Sequence, residues 1–92
     1  MPGRRNPEDL KHELLAILDN FDNDRLAAFY SEPLVAQLLN TLYRRWEENS
    51  RRGEPLDYAK SSELEKLLAL AKRIARLQGW EARRRWLSRA DV

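Results

Sequence analysis

The chain has 92 residues, enough for one domain with a modest core. Hydrophobic residues make up 42% and charged residues 35%, with only 3 Gly and 4 Pro, a balance that suits helices better than a sandwich or barrel. The lack of cysteine excludes disulfide scaffolds and thiolate metal sites. The net charge of +2 hides an asymmetry: residues 1–43 carry four basic groups against seven acidic ones (−3), and residues 44–92 thirteen against eight (+5).

The first helix is marked by Asn6 as N-cap, Pro7 at the first helical position, and Glu8 and Asp9 at the positive end of the dipole. Leu10, Leu14, Ile17, Leu18 and Phe21 recur at helical spacing as one apolar stripe. The stripe ends in Asp19-Asn20-Phe21-Asp22-Asn23-Asp24, a cluster of cap and turn formers. A short second helix is expected over Asp24 to Tyr30, with Leu26, Phe29 and Tyr30 on its apolar side; at that length it needs tertiary packing.

Ser31-Glu32-Pro33 opens the third helix, with Ser31 able to cap and Pro33 tolerated in the first turn. Leu34, Val35, Leu38, Leu39, Leu42 and Trp46 make a wide apolar face with Tyr43 at its edge, wide enough for two neighbours. Arg51-Arg52-Gly53 reads as the stop, with Gly53 as the left-handed cap. Glu54-Pro55 is a loop that Leu56-Asp57-Tyr58 continues or closes as one turn. Ser62-Glu63-Leu64-Glu65 then fits a capping box for a fourth helix presenting Leu64, Leu67, Leu68, Leu70, Ala71, Ile74 and Leu77. Gly79 either ends that helix, making Trp80 to Ala90 a separate short helix, or is carried through in one long helix. On a continuous helix Trp80 and Leu87 emerge away from the leucine stripe.

Chemistry-bearing motifs fail on their spacing. Asn20-x-Asp22-x-Asp24 resembles the start of a calcium loop, but the sixth and twelfth positions are Arg25 and Ser31 where Gly and Glu are required, so capping explains it better. His12 is the only histidine and lies off the apolar stripe, too little for zinc or for a Ser-His-Asp triad. The carboxylate pairs Glu8/Asp9, Glu47/Glu48 and Glu63/Glu65 fall in first turns or on polar faces rather than in a pocket. All three glycines are isolated, so there is no phosphate loop. The third helix begins Pro33-Leu34-Val35, apolar where a DNA-recognition helix would offer polar groups.

The distinctive segment is C-terminal. Residues 72–89 carry seven cations (Lys72, Arg73, Arg76, Arg83, Arg84, Arg85, Arg89) and one anion, Glu81. On one continuous helix, Lys72, Arg73, Arg76, Arg83 and Arg84 would cluster around Trp80. Cations interleaved with an exposed aromatic suit an acidic partner helix, with Trp80 as the anchor, or phosphates with a stacked base. They are equally what a solvated helix end looks like, with Trp80 and Trp86 closing the core.

The sequence therefore predicts an all-α, compact bundle of four to five short helices in a single domain, residues 1–92, with flexible ends at 1–6 and 90–92. The expected core is Leu10, Leu14, Ile17, Leu18, Phe21, Leu26, Phe29, Leu34, Leu38, Leu42, Leu64, Leu67, Ala71 and Ile74. The expected function is a non-catalytic protein–protein interaction module, an adaptor, regulator or subunit, with Lys72, Arg73, Arg76, Trp80, Arg83, Arg84 and Trp86 as its partner-binding residues. The alternative is an accessory nucleic-acid binder using the same segment. No catalytic residue, cofactor, metal or small-molecule substrate is expected. A homodimer is favoured because leucine faces would otherwise meet water. No apolar run reaches the ~20 residues that span a bilayer, and Met1 to Pro7 lacks the apolar stretch of a signal peptide, so a cytoplasmic location without membrane association is expected.

Overall fold

A computed structural model describes residues 6–90, with side chains for residues 6–88. Among them are five α-helices, α1 (Pro7–Asp19), α2 (Asn23–Tyr30), α3 (Pro33–Glu48), α4 (Ser61–Ala75) and α5 (Gly79–Ala90), and one 3-10 turn, Pro55–Tyr58, with no strand. The all-α bundle expected from sequence is what forms. The ends expected to be flexible lie mostly outside the described residues. Asn6 is instead fixed as the N-cap of α1, its Oδ1 accepting from the Asp9 N–H at 2.9 Å.

Each boundary has a local cause. Asp22 caps α2 by accepting from the Arg25 N–H at 2.9 Å, which starts this helix one residue earlier than the periodicity suggests. Ser31 does not cap α3: it closes α2, its hydroxyl donating to the Ala28 carbonyl at 3.1 Å. Pro33 opens α3 without any side-chain cap. That helix ends at Glu48, well before Gly53. The Arg51 N–H donates to the Trp46 carbonyl (2.9 Å) and the Ser50 N–H to the Glu47 carbonyl (3.1 Å), a Schellman closure. The left-handed residues are thus Ser50 (φ 62°) and Arg51 (φ 58°), rather than a glycine; Gly53 (φ 70°) turns the chain later.

Helix α4 begins at Ser61, ahead of the Ser62-based box expected. Glu63 reaches back to the Lys60 N–H at 2.8 Å, and because a lysine side chain has no acceptor only this half of a box forms. At the far end α4 stops at Ala75, and Glu81 reaches back to the Gln78 N–H at 2.7 Å to start α5. Gly79 is therefore the first residue of α5 and not the cap of α4. The break re-aims the chain: α5 buries Ala82 and half-buries Trp86, which an unbroken helix would carry out of register with Ile74.

The core gathers Leu10, Leu14, Ala28, Phe29, Val35, Leu42, Ala59, Leu64, Leu67, Leu68, Leu70, Ala71, Ile74 and Ala82. Ile17, Leu18, Phe21 and Leu38 pack against it half-buried, and Leu26 is likewise intermediate. Leu34 departs from expectation: 37% exposed, it lies outside the core, and Val35 takes the buried position. Helices α1 and α4 form the most extensive pairing, α5 packs chiefly against α2, and α3 packs chiefly against the 3-10 turn. The molecule is flattened, 37 × 34 × 18 Å.

Two charged clasps hold the long α3–α4 connection. Arg45 grips Glu63 with two bonds (2.7 and 3.1 Å) and donates to the Tyr58 carbonyl at 3.0 Å. Lys11 of α1 pairs with Asp57, which also accepts from the Glu54 N–H at 2.9 Å. Trp46 and Tyr58 add bonds to the Gly53 and Arg52 carbonyls.

Candidate functional site

The polar groups with perturbed acidity belong to these clasps. Hydrogen bonding from Arg45 holds Glu63 below the ordinary glutamate range, and the same bond raises Arg45. Hydrogen bonding from Lys11, seconded by the Glu54 N–H, holds Asp57 below the ordinary aspartate range, and Asp57 in turn raises Lys11. Both members of each pair move toward their charged forms, as structural ion pairs do. A general acid or base would need the opposite displacement, toward neutrality.

Three side chains of the acidic turn after α1 have structural partners. Asn20 donates to the Ala16 carbonyl at 2.9 Å, Asp22 caps α2 and pairs with Arg25, and Asp24 accepts from the Trp86 indole at 3.2 Å. His12 is exposed beside Glu8. Among the described residues no three metal-ligating side chains converge, and no helix is long and apolar enough to cross a membrane.

The break at residues 76–78 disperses the seven residues singled out from the sequence. Lys72, on α4, pairs with Glu13 of α1 at 2.9 Å. Arg73 edges a different hollow, with Glu32, Leu34, Lys66, Ala69 and Leu70, and Arg76 is exposed at the C-cap of α4. Trp86 turns inward and packs against the core with its indole N–H on Asp24. The cluster of cations around Trp80 that a continuous helix would create does not form in full, because α4 and α5 are separate helices. What the structure does bring together on the solvent side of α5 is Trp80, Arg83 and Arg84.

Leu87 joins them. Residues seven apart on an α-helix lie within about 20° of each other in azimuth and about 10 Å apart along the axis. Trp80 (63% exposed) and Leu87 (41% exposed) therefore form one apolar stripe on the face opposite Ala82. Arg83 and Arg84, both exposed, lie between them on either flank. Beside the stripe runs an open groove of about 510 Å³ lined by Leu77, Trp80, Glu81, Arg84, Arg85 and Ser88. Its floor is held to α2: Arg25 pairs with Asp22 at 2.7 Å and donates to the Leu77 carbonyl.

Arg85 was not singled out from sequence as a binding residue. Its Nη1 is buried and has no hydrogen-bond acceptor. Only the turn of α5 toward α2 distinguishes it from its neighbours Arg83 and Arg84, and the run of three arginines gives no sign of it. A second apolar hollow, lined by Tyr30, Leu39, Tyr43, Glu54, Pro55 and Leu56, was also unforeseen. Its signal was Tyr43 at the edge of the wide α3 face, a face the fold covers only in part. Comparison of the chain with protein-family models, with curated proteins and with solved structures found no match.

Proposed function

We propose that this chain is a small non-catalytic protein–protein interaction module, an adaptor, regulator or subunit of a larger assembly, that docks through the solvent face of α5. The observation carrying this reading is the pairing of Trp80 and Leu87, exposed two turns apart with Arg83 and Arg84 between them. A large aromatic anchor beside arginines is the composition of an interface hot spot. The test is capture of partners on the immobilised chain, comparing wild type with the Trp80→Ala/Leu87→Ala double variant in the presence of nuclease. Retention of the same partners by the double variant refutes this docking face.

A nucleic-acid reading rests on one observation, the exposed Trp80 indole flanked by Arg83 and Arg84, which could stack a base and meet phosphates. It requires binding of a labelled single strand whose affinity falls with salt by roughly one log–log unit per phosphate neutralised. No binding at low salt eliminates it. Self-association is a further expectation of this reading, and light scattering at high micromolar concentration tests it. Two-fold pairing of α5 would bring Arg83 and Arg84 near their own copies, so a dimer is better served by the Tyr30–Tyr43 hollow.

A further inference from the structure

Resting on that reading of α5, we propose that its partner is an acidic amphipathic helix, which seats a carboxylate at Arg84 and Arg85 and lays apolar side chains on Trp80 and Leu87. The groove beside Trp80 presents two guanidinium groups and the Ser88 hydroxyl next to an indole and Leu77. Its one anion, Glu81, already accepts from the Gln78 N–H at 2.7 Å. Arg84 is exposed at the groove and Arg85 lines it, and guanidinium and carboxylate match in planar, bidentate geometry. The axial spacing of Trp80 and Leu87, two turns, is the spacing at which a helix presents apolar residues on one face.

Charge and shape favour this occupant over two others. A nucleic-acid strand would gain little from Leu87, which offers no ring face for a base to stack on. A second copy paired through α5 would set arginines against arginines. The acidic helix satisfies the cations and covers both apolar side chains at once.

The probe is a labelled synthetic amphipathic helix with leucines two turns apart and glutamates between them, followed by anisotropy against the full chain. Its counterpart carries glutamine for glutamate, and a labelled single-stranded oligonucleotide serves as the competing chemistry. Binding should weaken roughly tenfold or more with Trp80→Ala, an exposed anchor whose loss leaves the melting temperature unchanged. The glutamate peptide should bind several-fold tighter than the glutamine peptide, and this preference should vanish in Arg84→Gln and in Arg85→Gln. The Arg84 variant guards against any loss of folding in the Arg85 one, because Arg84 is exposed.

Equal binding of the two peptides, or tighter binding of the oligonucleotide than of either, overturns the proposal. If neither peptide binds while wild type still captures partners in a Trp80-dependent way, the acidic-helix inference fails and the module reading stands. Loss of Trp80-dependent capture as well removes both.

Discussion

Ser50→Gly should stabilise the protein. Ser50 occupies the left-handed region at φ 62° in the Schellman closure of α3, where its N–H meets the Glu47 carbonyl at 3.1 Å. A left-handed backbone costs a non-glycine residue roughly 1–2 kcal/mol. Glycine removes that cost, although its extra freedom in the unfolded chain takes back about 0.4–1 kcal/mol. Ser50 is exposed, so little packing is lost. The net gain should be about 0.5–1 kcal/mol. With an unfolding entropy near 2.1 cal/mol/K per residue over 92 residues, that raises the melting temperature by about 3–5 °C. Thermal unfolding followed by far-UV circular dichroism reads this directly. Gly53→Ala is the opposing control: φ is 70°, and an added Cβ would lie 2.7 Å from the Asp57 carboxylate, so the clasp with Lys11 must shift and stability must fall. A Ser50→Gly protein that melts at or below the wild-type temperature refutes the argument. So does a Gly53→Ala protein that melts unchanged.

Leu42→Ala should cost ~2–5 kcal/mol and the half-buried Leu38→Ala only ~1–2 kcal/mol, measured by urea unfolding; equal costs would contradict the burial difference. Because Asp57 and Glu63 are held below their ordinary ranges, they add stability that is fully present above those ranges and is lost as pH falls through the depressed values. The melting temperature should thus stay level from neutrality to about pH 5 and drop below about pH 4.5, with a smaller acid loss and a lower plateau in Glu63→Gln. Gly79→Ala should stabilise by ~0.4–1 kcal/mol, since its φ is not left-handed and an added Cβ meets nothing within 4 Å; a lower melting temperature would show that the α4–α5 break needs a glycine.

Helix positions were legible in the sequence where one local interaction decides them. Asn6-Pro7 starts α1, and Pro33 starts α3, because a cap or a ring constrains only its own turn. The end of α3 was misplaced because Gly53 looked like the natural left-handed residue, whereas Ser50 and Arg51 adopt that conformation and Trp46 is tied back by its indole bond to the Gly53 carbonyl. Leu34 and Val35 are adjacent apolar residues on a wide face, and only the direction of the neighbouring elements decides which is buried. The candidate site was legible in composition and not in placement. Trp80, Arg83 and Arg84 do share a surface, while Trp86, chemically equivalent in the sequence, is drawn inward by Asp24 from 62 residues away. Nothing local to Trp86 carries that information.

The attachment of α5 has a kinetic consequence. Helix α5 packs chiefly on the short helix α2, where the Trp86 indole donates to Asp24, whereas α1 and α4 share the most extensive helix pairing. The same helix should open first from the native state, so its amides should exchange with solvent through local detachment while those of α1 and α4 wait for global unfolding. Any ligand that requires α5 seated on α2 will then slow exchange in this one helix far more than elsewhere, leaving a footprint of occupancy that can be read without knowing what the ligand is.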